Sequence, residues 1–501
     1  MLHVKPIKKN PVLFGTLIIL GLFTLITFLD TAGFYTYIEK SSLWVRQWFG
    51  KFYLYLGLGC VLLIIILALS PFGKKKLGGA QTKPEFYLWA WIAMLYSAGM
   101  GSGILLRAVQ EPVFMWRNPP IQSGLDTKII ALEYTFYQWG FTAWAFYGIF
   151  ALIIGYSLFK KEGTALVSAT ISTLQNRAKL RISIDILASL TTVFGLIAAI
   201  ALGATQITGG LNHLFSQELD IGTAIALTIL IATIAFLSVW GGMHKGIKRI
   251  SQLNILVTLA LLLFVFAQGE MVYFLKQLTI AGFAYIKDFI PLSLAIGKYN
   301  PGEQFLTDWT YYYWAFWLAW APFTGIFIAR ISKGRSIRQL LLGVLLIPSL
   351  GTFIWFTVFG ESAFSLIEQW ESYNGEFNNV FSSIFMFLQH YPMATLLNIV
   401  TLILLVGFLV TSADSAVFVL SMFSDKGRIN PKKSHRLIWS VSISIFAIAL
   451  LLLGNAKPDI DVLQALQKLL IITSLPFALF MVVMVSFFLR KIILTYRFKT
   501  K

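Results

Sequence analysis

Runs of about twenty apolar residues recur along the whole length of this 501-residue chain. A helix rises about 1.5 Å per residue, so each run can cross the roughly 30 Å hydrocarbon core of a bilayer. Inside that core every backbone amide and carbonyl must be satisfied within the protein, which leaves only helices and closed barrels. The runs are continuous rather than alternating, so they predict helices. Twelve spans are expected: 12–31, 52–71, 86–108, 131–158, 183–210, 221–240, 251–275, 308–330, 338–360, 394–422, 436–454 and 468–489. The chain is 57% hydrophobic and 12% charged, far from the soluble range. It therefore reads as one all-α polytopic membrane bundle. The N-terminus is basic (KPIKKNP), then apolar without a small-residue cleavage site, which predicts a retained first span. The single cysteine, Cys60, lies in an apolar run; it excludes an internal disulfide and is expected to be buried.

The net charge of +18 is mostly a topology signal. With the N-terminus inside and twelve spans, 29 of the 40 Lys and Arg fall in inner segments, 10 in outer ones, and the last is Arg107. Both termini are then cytoplasmic in a bacterial inner membrane, with a basic face toward anionic lipid. Nothing in this distribution supports nucleic-acid binding. Residues 276–307 fit an interfacial helix and outer loop, and 361–392 an outer loop with short amphipathic helices. The five histidines lie in tails and loops and do not pair at metal-ligand spacing. No phosphate-cradling Gly-Lys-Ser or Gly-Lys-Thr loop occurs, so neither an enzyme nor an ATP-driven pump is expected, and no cofactor.

Four stretches carry chemistry. SAGMGSGILLRAVQEP (97–112) places Gly99, Gly101 and Gly103 at membrane depth, followed by Arg107 and Glu111. Glycine lets a helix unwind and lets a ligand approach the backbone, although close helix packing would use the same residues. WTYYYWAFWLAWAPF (309–323) carries Trp317 and Trp320 on one helix face, ahead of Pro322. Stacked aromatic faces attract a quaternary ammonium, and core packing is the alternative. TFYQWGFTAWAFYG supplies Trp139, Trp144 and Tyr147 as a second wall. GFLVTSADSAVF sets Thr411, Ser412 and Ser415 at mid-depth with Asp414, oxygens that suit a hard cation such as sodium. The glycine break opens span 3 and a proline-aromatic break is expected in span 8. Spans 3–7 and 8–12 then form two inverted halves with interrupted helices at matching positions, which points to a midplane site.

Together these stretches, with SVWGGMHKGIKRIS and FIARISKGRSIRQLLLGVLLIPSLGTFIWFTVFGESA, resemble the betaine/carnitine/choline transporter (BCCT) family over about 86–422. The resemblance implies the inverted-repeat fold of the leucine transporter, five plus five helices with two extra N-terminal ones. The corresponding segments are 1–85, 86–275 (first repeat), 276–307, 308–489 (second repeat) and 490–501. It also implies a homotrimer that imports trimethylammonium solutes. The family's aromatic cage falls on Trp139, Trp144, Tyr147, Phe316, Trp317 and Trp320; most members have tryptophan where this chain has Phe316. Its glycine-rich loop falls on Gly99, Met100, Gly101, Ser102 and Gly103. Choline carriers often have aspartate at the last position, so Gly103 leans toward a zwitterion. The shared sodium site falls on the carbonyls of Ser97, Met100 and Phe408 and the hydroxyls of Thr411 and Ser412. Sodium-independent exchangers carry arginine in place of Asn254 and methionine in place of Thr324, which favours sodium symport here. The span-5 stretch FGLIAAIALGATQ is poor in hydroxyls for a second site.

Arg107 departs from the family. It either pairs with Glu111 at i, i+4 or meets an anionic substrate group. The expected function is sodium-coupled import of a betaine-like zwitterion by alternating access. The alternative is another small zwitterion or an organic acid or sulfonate, with Arg107 on its anionic group. An embedded enzyme would need a titratable cluster at depth; a sensor would bind without accumulation, and a channel would pass far larger currents.

Overall fold

A computed structural model describes residues 10–99, 101–159, 163–174, 176–241, 244–457 and 460–497. Regular structure among them is helical, apart from an isolated bridge between Lys76 and Ser336. The chain opens with α1 (Pro11–Leu29) and α2 (Thr31–Leu69). An interrupted segment follows as α3 (Leu88–Gly99), α4 (Ser102–Arg107) and α5 (Gln110–Arg117). Next come α6 (Thr127–Trp139), α7 (Phe141–Leu158), α8 (Ala178–Phe215), α9 (Ile221–Gly241), α10 (His244–Gln268) and α11 (Met271–Leu294). The remainder is α12 (Glu303–Phe305), α13 (Tyr311–Ile331), α14 (Ile337–Glu368), α15 (Ser383–Leu388), α16 (Ala394–Ser424), α17 (Lys433–Leu453) and α18 (Val462–Arg497).

Ten helices among the described residues are long and apolar enough to cross a membrane. The other two expected spans correspond to the interrupted pair α3–α4 and to α9, whose described apolar stretch, Ile221–Leu237, is shorter. Local chemistry sets several boundaries. Asn10 caps α1 by accepting from the Leu13 amide at 3.2 Å, with Pro11 at the first helical position. Asp30 ends α1 and caps α2 by accepting from Gly33 N at 2.9 Å. From that cap α2 runs on through residues 32–51, the outer segment expected between the first two spans. Ser336 and Gln339 close a capping box at the start of α14.

Span 4 breaks where no break was expected. A Cβ on Gly140 would lie 2.5 Å from the Phe136 carbonyl oxygen and 2.9 Å from the Phe353 ring, so only glycine fits. The chain turns there between α6 and α7, and the freed Phe141 amide donates to Tyr285 Oη at 2.9 Å. Span 8 does the reverse. The expected break at Pro322 is absent: α13 runs unbroken from Tyr311 to Ile331, preceded by a π turn over Leu306–Thr310. Proline removes one amide donor, but α13 is packed between α7, α8 and α18, and these neighbours hold the helix together. The expected outer loop 361–392 is also partly corrected, because α14 continues to Glu368.

Burial sorts the bundle. The apolar windows of α6–α7 and α8 are 83% buried, against 33% for α1 and 28% for the span in α10. The span holding α13, the other aromatic stretch, is 72% buried, so both aromatic stretches lie in the interior beside α8.

Candidate functional site

A cavity of about 180 Å³ lies between α4, α6, α7, α8, α10, α13, α14 and α16. An apolar cavity of about 150 Å³ accommodates benzene, so this one has room for one small organic molecule. Trp139, Trp144, Tyr147, Phe316, Trp317 and Trp320 all line it, so both aromatic stretches meet in one place. Trp139 and Trp317 are 5.1 Å apart between centroids and inclined at 68°. Trp317 stands edge-on to Tyr147 at 6.4 Å and to Phe316 at 5.1 Å, and Phe316 lies 5.9 Å from Trp320.

Hydrogen bonds fix the indoles by their edges. Trp317 Nε1 donates to the Gln138 carbonyl at 3.0 Å, and Trp320 Nε1 to the Gly195 carbonyl at 3.1 Å. Trp139 Nε1 donates to both carboxylate oxygens of Glu111 at 3.2 Å. With these three N–H groups satisfied, Trp139, Trp317 and Trp320 are held by their edges, which leaves ring faces for contact with a ligand.

The glycine stretch closes another side. Gly101 is extended between α3 and α4, and a Cβ there would meet nothing within 4 Å. A Cβ on Gly103 would touch Trp139 at 3.4 Å. Gly101, Ser102 and Gly103 line the cavity. Met100 lies outside the described residues, and Ser97 and Gly99 are described by backbone alone.

Phe408, Thr411 and Ser412 of α16 line the same cavity, as do Asn254 and Thr324. Thr411 Oγ1 donates to the Gly407 and Phe408 carbonyls at 2.9 and 3.1 Å. Its hydrogen is thus spent on its own helix, which leaves oxygen lone pairs for a cation. Asn254 is pressed so closely on α16 that a Cβ on Gly407 would lie 2.4 Å from its Oδ1. The structure therefore gathers part of the predicted sodium set beside the aromatic wall.

Arg107 is not among the lining residues. It is buried, with Nη1 donating to Gln110 Oε1 at 2.6 Å, Nε 4.0 Å from Glu111 Oε2, and its guanidinium 4.9 Å above the Trp309 ring. The i, i+4 pair is the arrangement observed. Asp414 does not line the cavity either, whereas Ser415 does. Among the described lining residues none carries a charge.

Sequence reasoning missed four contributors. Gln206, Ser251 and Thr352 line the cavity, and Glu111 holds a wall of it. Gln206 had a readable signal: Ala199, Leu202, Gly203 and Gln206 follow the i, i+3, i+4, i+7 spacing of one helix face.

A bundle of membrane-length helices around an aromatic-walled cavity, with no charged side chain among its described lining residues, has the architecture of a carrier of small solutes. Residues 11–495 match the profile of the BCCT, betaine/carnitine/choline family transporters, and the chain belongs to that family. It is 37% identical to the glycine betaine transporter OpuD of Bacillus subtilis (strain 168), over 89% of this chain and 87% of that one. It is 34% identical to the ectoine/hydroxyectoine transporter of Virgibacillus pantothenticus over 97% of each. Identity to the high-affinity choline transport protein of Escherichia coli (strain K12) is 33%, over 94% of this chain and 70% of that one.

Proposed function

We propose that this carrier imports a betaine-like zwitterion with a trimethylammonium group, driven by sodium. The observation that carries the reading is the cavity itself: tryptophan faces at one side and no charged lining side chain. A quaternary ammonium over desolvated indole faces gains about 2 kcal/mol. A net cation or anion would enter an uncharged enclosure without a counterion, whereas a zwitterion brings its own. The glycine betaine transporter among the relatives fits this reading, and the choline transport protein shares its trimethylammonium group.

Sodium would sit on the Thr411 and Ser412 hydroxyls with carbonyls of Phe408, Ser97 and Met100. Each charge moved with about 100 mV of membrane potential adds roughly 2.3 kcal/mol. We place the protein in a bacterial inner membrane as a homotrimer, with both termini cytoplasmic, its basic inner face toward anionic lipid, and the halves in the five-plus-five inverted arrangement. A second reading, another small zwitterion, is favoured by Phe316 in place of the family's usual tryptophan and by the ectoine relative.

The test is uptake of labelled glycine betaine into proteoliposomes with and without an inward sodium gradient. Accumulation that requires the gradient is expected. Accumulation that ignores sodium would remove the coupling, and failure of a folded protein to take up glycine betaine would move the substrate to the second reading.

A further inference from the structure

The cavity has an aromatic end, and its polar lining side chains, neutral amides and hydroxyls, come mostly from other walls. Arg107 does not supply one, because Gln110, Glu111 and Trp309 already engage its guanidinium. On α8 the lining residues are Ala199, Leu202, Gly203 and Gln206, so Gln206 is the one polar side chain on that wall. It is fully buried, and neither Oε1 nor Nε2 has a hydrogen-bond partner among the described residues. A buried primary amide left unpaired is destabilising, and most buried side-chain amides are satisfied. Gln206 follows Leu202 and Gly203 by four and three residues, so the three share the helix face that lines the cavity.

We infer that Gln206 is the polar pole of the cavity: its Nε2 donates to the anionic end of a zwitterion whose ammonium faces the tryptophans. It is thereby a specificity-determining residue, selecting carboxylate-bearing solutes over plain quaternary cations. Asn254, whose Oδ1 and Nδ2 both abut Gly407 and whose Nδ2 has no hydrogen-bond partner among the described residues, lines the same cavity from α10. The inference rests on the zwitterion reading above. It also explains how a carboxylate is bound in a cavity without lysine or arginine: neutral donors suffice where the ligand carries its own cation.

The experiment compares glycine betaine with choline, which keeps the trimethylammonium group and lacks the carboxylate. Binding to purified protein is read by tryptophan fluorescence for wild type, Gln206→Leu and Gln206→Glu. Gln206→Leu is expected to weaken glycine betaine about 10- to 100-fold, the span for a hydrogen bond to a charged group, and choline less than about threefold. Gln206→Glu, nearly isosteric, is expected to reverse the preference toward choline. Equal weakening of both ligands by Gln206→Leu, or glycine betaine affinity within about threefold of wild type, overturns the assignment. If Gln206→Leu does not fold, an unchanged ligand ratio in Gln206→Glu overturns it instead. Wild type that binds neither ligand defeats the substrate reading and this inference with it; wild type that binds both and ignores the substitutions defeats Gln206 alone.

Discussion

The Glu111 carboxylate accepts from Trp139 Nε1 and from the Tyr313 hydroxyl, and Arg107 stands 4.0 Å away. One buried acid thus orients a wall of the cavity and ties α5 to α6 and α13. The Arg107–Glu111 spacing was readable from the sequence. Its further partners were not, because Trp139 and Tyr313 lie 28 and 202 residues from Glu111 and only tertiary packing brings them there. The aromatic wall was legible for the opposite reason: six large rings were already concentrated in two stretches. Trp317 sits at its middle, touching Trp139, Tyr147 and Phe316. Replacing Trp317 with leucine should raise the apparent Km for a trimethylammonium substrate about 30-fold, the loss of about 2 kcal/mol of cation–π attraction. Initial uptake rates measure it, and an unchanged Km would remove the ammonium from this wall.

At the scale of the element, hydropathy located the spans and misplaced their joints. Hydropathy averages over a lone Gly140, and reading Pro322 as a helix breaker put the break in the wrong aromatic helix. What decides is the space beside each backbone. Gly140 is wedged between the Phe136 carbonyl and the Phe353 ring, while a Cβ on Gly101 has nothing within 4 Å. Two substitutions should therefore behave differently. Gly140→Val overpacks the α6–α7 joint and should cost at least about 1–3 kcal/mol, seen as a lowered Tm in detergent. Gly101→Ala should leave Tm where it is. A Gly140→Val protein that melts with the wild type would mean that the joint yields more easily than its contacts indicate.

For the whole molecule, the all-helical class and the family were readable from composition and motifs, and so was a midplane site joining the stretches now seen in α4, α13 and α16; the walls that α8 and α14 add to that cavity were not. Gln206 shows why. A single amide near the end of an apolar helix has the same sequence signature whether it faces lipid headgroups, a neighbouring helix or a ligand, and only the assembled bundle separates these cases. The absence of charge among the described lining residues has an electrical consequence. A zwitterion adds no net charge to the transport cycle, so every elementary charge that crosses with it belongs to a coupling ion. Current divided by labelled solute flux then counts ions directly. On the proposed reading, a zwitterion carried with one sodium at Thr411 and Ser412, the expected ratio is one elementary charge per solute. A ratio of two would call for a second cation site, and α8, where the lining offers only Gln206 as a polar side chain, is poorly equipped to provide it. The carrier is in that sense its own ammeter.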